Sequence, residues 1–441
     1  MRRPRTGELL RGLPQGSAAV LRAVLQVADA HEVRVYLVGG PVRDWLLERR
    51  VADLDLVVET REGMDATALG AAVTGPAVRA TTHERFGTVT LRSEGATVDI
   101  ATLRRESYAH DGALPSVEVG TLEEDLLRRD FSVNALALPL SAAARSRHTG
   151  VIDAAEGLAD LEQKRLRVMH PRSFHDDPTR ALRAARLGPR LGFSLTRDTR
   201  SALRAALREG AFGRVSGDRL RREMTKLFDD ASRGLDPTRA LRLLHDWHVL
   251  GALEPGLVLD PAAGAPLRRL GRAIATEPWP APRWRPWVSG LALWLAPLAP
   301  ALRRRALKRL SVRGERAACI VAFPRARDTR LRALSAARGR GAVDAALVGL
   351  DEETLHALYA WASPAARRRI ARWAEEDRTR RPPLSGNDLV AIGLAGPAVG
   401  RALARVRVAW LDGSVAGREE ALVLARELSR RSRKQSRSPG Q

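Results

Sequence analysis

The sequence predicts an α+β molecule, with a mixed sheet confined to about the first 165 residues and helices from there to the end. Two observations carry this. Apolar runs of β-type composition occur at "VRVYLVGG", "LDLVV", "GTVTL" and "ATVDIATL", separated by stretches of helical composition and by glycine turns. From about Met169, apolar residues recur at three- and four-residue spacing through "DDPTRALRAARLG", "TRDTRSALRAALREG" and "SGDRLRREMTKLFDD". Beyond these segments no convincing second sheet is legible. A softer boundary falls near Ala231, and the Pro- and Gly-rich "GALEPGLVLDPAAGAP" reads as a loop or junction. With 441 residues the chain is long enough for two to four domains.

Charge narrows the partners. Lys and Arg number 74 against 51 Asp and Glu, a formal charge of +23, and only Lys164, Lys226, Lys308 and Lys434 are lysines. That excess favours a polyanion, and the planar guanidinium suits phosphates and base edges, although a GC-rich genome or heat adaptation produces the same arginine bias. The single Cys319 excludes an internal disulfide framework and any Cys-rich metal site. The start "MRRPRTGELLRGLP" has no apolar run behind its basic residues, and Trp287 to Leu298 is interrupted by Pro297 and too short to span a bilayer. A cytoplasmic protein without membrane attachment is expected. Trp279, Trp284, Trp287 and Trp294 are expected to pack between helices.

The densest basic run is "ALRRRALKRLSVRGER", residues 301 to 316. Its helical phase groups Leu302, Ala306 and Leu310, while Arg303, Arg304, Arg305, Lys308 and Arg309 fan across the remainder as a solvated face or a phosphate-binding surface. The final "SRRSRKQSRSPGQ" lacks apolar anchors and is expected to be disordered.

The chemistry concentrates in "VYLVGGPVRDWLL" and "VADLDLVV". A strand ending at Gly39 and Gly40, followed by a helix that begins with Arg43 and Asp44, lets the backbone approach a phosphate. Strand alternation then sets Asp53 and Asp55 on one side, with Leu54 and Leu56 on the other. Two carboxylates there suit divalent magnesium shared with triphosphate oxygens. Asp99, in "ATVDIATLR", is a third carboxylate that an adjacent strand would bring across. Three acids repel one another unless cations neutralise them. In "DDPTR", Asp177 and Arg180 stand three residues apart, a spacing that fits an exposed charged helix face, and Asp177 equally fits a cap on a helix beginning at Pro178. His170 and His175 have no partnered nucleophile, and "HDWH" at His245 to His248 lacks further metal-ligand spacing.

These strings, with "EEDLLRRDFSVNALAL", "VIDAAEGLADLEQKRLRV", "HDDPTRALRAARLGPRLGF" and "SGDRLRREMTKLF", occur in order over about residues 33 to 228. In this the chain resembles the class II tRNA nucleotidyltransferase and bacterial poly(A) polymerase family of the polymerase β-like nucleotidyltransferase superfamily. The resemblance implies a nucleotidyltransferase head over residues 1–165, followed by an all-helical neck (166–230, with the base-recognition site), body (231–330, RNA-binding) and tail (331–430, tRNA-binding), then a disordered basic end (431–441). It implies that Asp53 and Asp55 carry Mg2+, with Asp99 in the catalytic set, and that Gly39, Gly40, Arg43 and Arg85 hold the triphosphate. Arg129 and Asp130 would lie at the sugar, Asn134 would brace the nucleotide or the local backbone, Asp177 and Arg180 would read the base by offering an acceptor and a donor to the exocyclic amino group and ring nitrogen shared by cytosine and adenine, and Arg183 would join them in the nucleotide-binding set. Arg219 and Glu223 would support the pocket from below. The implied activity is addition of CCA to the 3′ end of tRNA from CTP and ATP. CC-only addition, A-only addition and poly(A) synthesis occur in the same family, and a nonenzymatic tRNA-binding protein on the same fold is the competing class. The chain has Asp176 where the family usually has Glu, and Asp218 where it often has Glu.

Overall fold

The computed structural model describes residues 9, 12–51, 53–83, 87–107, 110–113, 115–147 and 150–435. Arg85, one of the expected triphosphate ligands, lies outside the described residues, as does the basic end beyond Gln435. The chain divides into two units: Met1–Ser216 with Trp247–Ala252, and Gly217–Asp246 with Leu253–Gln441. The first division falls inside the segment read as neck.

In the first unit a helix, α1 (Gln15–Ala30), precedes β1 (Val35–Val38), whose four residues are all buried. The short helix α2 (Gly40–Leu46) follows directly, and β2 (Leu54–Val58) returns antiparallel to β1, with Leu37 opposite Leu56. Helix α3 (Ala66–Val73) is capped by the Asp65 carboxylate, which accepts from the Ala68 amide at 2.8 Å. Strands β3 (Arg79–His83), β4 (Thr88–Ser93) and β5 (Ala96–Thr102) form a meander. The hairpin β6 (Arg104–Ser107) and β7 (Ser116–Val119) stands apart as its own two-stranded ladder. Helix α4 (Leu122–Leu127), opened by a Thr121–Glu124 capping box, leads through the turn Ser132–Asn134 into β8 (Leu136–Pro139). The described strands of the main sheet run β3-β4-β5-β2-β1-β8, with Ile152–Asp153 beyond β8.

The sheet is mixed because β2 and β5 pair in parallel while their other neighbours are antiparallel. Helices α1 and α3 cover the face carrying Leu37, Leu54, Leu91, Val98 and Ile100. Gly70 permits the close approach of α3, since a Cβ there would meet the Val89 side chain at 2.6 Å. On the other face Tyr36, Val38, Val57, Leu103, Leu126, Ala135 and Ala137 form a second apolar cluster. Asp55 and Asp99 have the strand parity of this second face. The remainder of the unit is helical apart from the two-residue ladder of Arg165–Leu166 with Ser194–Leu195. Its longest helices are Thr179–Leu191 and Arg197–Arg208.

The described residues of the second unit form helices without a strand. Trp279 and Trp294 are almost fully buried, and each indole N–H finds an acceptor: Glu352 at 3.1 Å and the Val258 carbonyl at 2.9 Å. Trp287 is buried as well, while half-buried Trp284 stacks on His356 at 3.6 Å between centroids. The four tryptophans thus serve packing, as their sequence context suggests. Cys319 is partly buried, its Sγ 3.2 Å from the Thr354 hydroxyl, and burial pushes the thiol up to about 11. The closing helix, Arg418–Gln435, extends into the basic segment expected to be disordered. Among the described residues no helix is long and apolar enough to cross a membrane.

Candidate active site

The carboxylates meet through strand register. Parallel pairing sets Asp55 of β2 beside Asp99 of β5, and antiparallel pairing sets Thr90 of β4 beside Asp99. The Thr90 hydroxyl donates to Asp99 Oδ1 at 2.5 Å. Asp53 is exposed just before β2, and Leu54 and Leu56 point into the opposite face. Burial raises the Asp55 carboxyl to about 6, and the charges of Asp99 and Asp53 push the same way, against the lowering pull of Arg129 and Arg43. A hard cation that accepts carboxylate oxygens relieves this repulsion, so the donor set fits magnesium. Among the described residues no three His, Cys, Asp or Glu side chains converge as a ready-made metal cage. Asp53 and Asp55 are the pair that would hold the ion, with Asp99 anchored by Thr90 beside them.

Above the strands, the β1 to α2 turn depends on Gly39. Its φ of +73° is a left-handed conformation, and a Cβ at this position would sit 2.6 Å from the Arg129 guanidinium. The backbone conformation is the feature that requires glycine, and the absent Cβ lets Arg129 lie close over the turn. Arg43 folds back under the turn and is only 4 % exposed. It donates from Nε and Nη2 to Asp44 Oδ1 at 2.9 and 2.7 Å, and from Nη1 to Asn134 Oδ1 at 2.5 Å. This places Arg43 as a brace within the turn. Arg129 is held by Asp125, a fully buried carboxylate that accepts from Arg129 at 2.8 Å and from Arg128 at 2.5 Å. Those pairings, working against burial, keep the Asp125 carboxyl below its usual range.

Asp130 is the densest acceptor of the site. Oδ1 accepts from the Phe131 amide at 3.0 Å and Asn134 Nδ2 at 2.8 Å, while Arg183 engages Oδ2 at 2.7 Å. Burial alone would raise this carboxyl, yet the Arg183 charge and these hydrogen bonds, with Arg180 nearby, bring it down to about 2. Asp177 caps the next helix, its Oδ1 accepting from the Thr179 amide at 2.9 Å and hydroxyl at 2.6 Å. Arg180 is 5 % exposed and donates from Nη2 to the Arg128 carbonyl at 3.1 Å; its Nη1 is buried with no acceptor among the described residues. A buried orphan donor of this kind is satisfied when a ligand acceptor arrives. Asp176 pairs with His170 at 3.3 Å, and Arg183 pairs with Asp130. His175 is buried against Glu209 at 2.9 Å.

Residues 35–167 match the poly A polymerase head domain family. An A-adding tRNA nucleotidyltransferase from Geobacter sulfurreducens is 31% identical over 95% of this chain, which spans 48% of that relative, about half its length. A CC-adding tRNA nucleotidyltransferase from Deinococcus radiodurans is 33% identical over 88% of each chain. The chain belongs to the class II tRNA nucleotidyltransferase family. The solved structure of a Thermotoga maritima CCA-adding enzyme complexed with tRNA is similar to it throughout, with a TM-score of 0.70, 26% identity, and coverage of 98% of this chain and 100% of that one.

Within this chain, the structure brings together Gly39, Gly40, Arg43, Asp55, Asp99, Arg129, Asp130, Asn134, Arg180 and Arg183 in the first unit. Arg219 and Glu223 lie in the second unit, on the helix Gly217–Asp229, where Glu223 is buried and pairs with Lys226 at 3.0 Å. Arg303 corrects an expectation. It was expected on the RNA-facing side of its helix, but it is only 6 % exposed and donates to the carbonyls of Leu295, Ala296, Leu298 and Val321. Those carbonyls end one helix and line another, and they take the guanidinium off the surface. Arg304, Arg305 and Lys308 are exposed, Arg305 beside Glu254 at 2.6 Å, and half-buried Arg309 donates to the Leu253 carbonyl. Sequence reasoning missed Asp125, Asp44 and Arg190. The spacing of Asp125 from Arg128 and Arg129, three and four residues across the C-terminal end of α4, was a usable signal. Nothing in the sequence joins Asp44 to Arg190.

Proposed function

We propose that this protein is a template-independent tRNA nucleotidyltransferase that adds CCA to the tRNA 3′ end from CTP and ATP, releasing pyrophosphate. The observation that carries the reading is the row Thr90–Asp99–Asp55 beside exposed Asp53, facing the Gly39–Arg129 turn and backed by a buried arginine with an unused donor. In the reaction the RNA 3′ oxygen bonds to the α-phosphorus while the bridge to the β-phosphate breaks. Asp53 and Asp55 would hold magnesium, which when bound lowers the hydroxyl pKa and neutralises charge on the leaving pyrophosphate. Arg129, held by Asp125, presents a fixed positive charge over the Gly39 turn beside the nucleotide sugar. Asp177 accepts from the exocyclic amine of cytosine or adenine and Arg180 Nη1 donates to the ring nitrogen, so guanine and uracil, with the opposite pattern, are refused. The basic helices of the second unit would grip tRNA through phosphates and shape. No step of this scheme needs a compartment other than the cytoplasm.

A second reading, addition of A alone or CC alone, is favoured by the names of the Geobacter and Deinococcus relatives. One assay separates them. Transcripts of tRNA ending at the discriminator base, after the first C or after the second C are extended with each NTP singly and with CTP plus ATP, with and without chelator. Extension that stops at CCA and is abolished by EDTA and restored by magnesium is the expected result. Arrest after CC, or growth only from CC-ended tRNA, establishes a partial enzyme, and a long A tail poly(A) synthesis. No incorporation by protein that still binds tRNA establishes the nonenzymatic class.

A further inference from the structure

A chain of side chains crosses the first unit from one end of the base-reading helix to the other. It starts at Arg183 of the helix Thr179–Leu191, which pairs with Asp130 at 2.7 Å. Asp130 accepts from Asn134, Asn134 accepts from Arg43, and Arg43 donates twice to Asp44. Asp44 Oδ2 then accepts from Arg190 at 2.8 Å. Arg190 stands seven residues, about two turns, beyond Arg183 on the same helix, so both ends of the chain return to one element. Its charged members alternate in sign, with neutral Asn134 between Asp130 and Arg43, and Arg43 and Asp44 are buried. Arg49 adds a second tie at the far end, donating to the Arg190 carbonyl at 2.8 Å.

We propose that Asp44 and Arg190 are positioning residues of the nucleotide site. They fix the C-terminal end of the base-reading helix to the Gly39–Gly40 turn, and so set where Arg180 stands relative to the catalytic carboxylates. The inference rests on the nucleotidyl-transfer reading above. Physically, a helix held at Arg183 alone can pivot about that contact. A second charged tie two turns away removes the pivot, and base discrimination depends on donors and acceptors held within fractions of an ångström. Arg190 would touch neither base nor phosphate. Its effect would pass through Asp44 and Arg43 on one side and the helix axis on the other.

The test uses the full chain with magnesium and a tRNA ending at the discriminator base. It measures kcat/KM for CTP and UTP, CTP affinity without RNA, and the thermal midpoint for wild type, R190Q, R190K, D44N and the double variant D44N/R190Q. In R190Q the CTP-to-UTP ratio is expected to fall about tenfold while the midpoint stays within about 2 °C. R190K should recover most of the ratio, and the double variant should be no worse than D44N, because both changes open the same link. Unchanged discrimination in R190Q overturns the inference, as does an equal loss for CTP and UTP that follows the thermal midpoint, or full additivity of the two changes. All three leave the nucleotidyl-transfer reading standing. Wild-type protein that neither binds CTP nor extends tRNA overturns that reading, and this inference with it.

Discussion

Arg303 is a buried cation whose described acceptors are four backbone carbonyls rather than a carboxylate. Burial holds its pKa below the usual arginine value, with the charges of Arg327 and Arg304 adding to the effect. R303M is expected to cost about 3 kcal/mol in urea unfolding, because it strands carbonyls that lost their water on folding. Its tRNA affinity, measured below the unfolding transition, should be unchanged. His356 gives the second residue-scale prediction. Its ring lies against Trp284 and Trp279, Nδ1 contacts the Glu352 carbonyl at 2.8 Å, and burial brings it down to about 4, despite Glu352 and with Arg378 assisting. The unfolded chain therefore takes up this proton more readily than the folded one. Stability contributed by neutral His356 is complete above about pH 6.5 and declines toward pH 4, at about 1.4 kcal/mol per pH unit. Between pH 7 and 5 wild type should lose about 2 kcal/mol more than H356F; parallel losses would contradict the assignment.

Among the elements, the turn Ser132–Asn134 matters most, because it sets Asp130 and Asn134 in place. The helix Gly157–Glu162 braces it: Asp160 Oδ2 accepts from the Ser132 hydroxyl at 2.6 Å and from Arg167 at 2.8 Å, and a Cβ at Gly157 would stand 2.3 Å from the Ser132 carbonyl oxygen. G157A must displace that backbone. We expect a stability loss of about 1–3 kcal/mol together with weaker CTP binding, read by denaturation and nucleotide titration on the same sample. The strands bearing Asp55 and Asp99 were legible as elements from their composition and alternation. Their adjacency was not, since pairing joins residues 44 positions apart through a parallel register that no local pattern encodes. The same limit explains Arg303. A helical repeat shows which residues share a face, but not that a neighbouring helix ends against it. The reading of Asp177 left a cap and a base contact open, and the structure shows the cap, made by the Oδ1 atom.

For the whole molecule, the net charge of +23 bears on RNA affinity only through arginines that reach solvent. In the run 301–316, Arg303 is buried, Arg305 pairs with Glu254, and Arg309 donates to a carbonyl. R304Q/K308Q should therefore lower the slope of log affinity against log salt by about 1–2, while R305Q/R309Q should lower it less. Equal slopes in filter binding across salt concentrations would remove this face from the RNA-binding surface. Cys319 has a different consequence. Burial beside Thr354 pushes its thiol up to about 11, which keeps it in the unreactive thiol form at neutral pH. The natural thiol is therefore a poor target for maleimide chemistry, and a dye or spin label introduced through one engineered surface cysteine would report its own position without first deleting it.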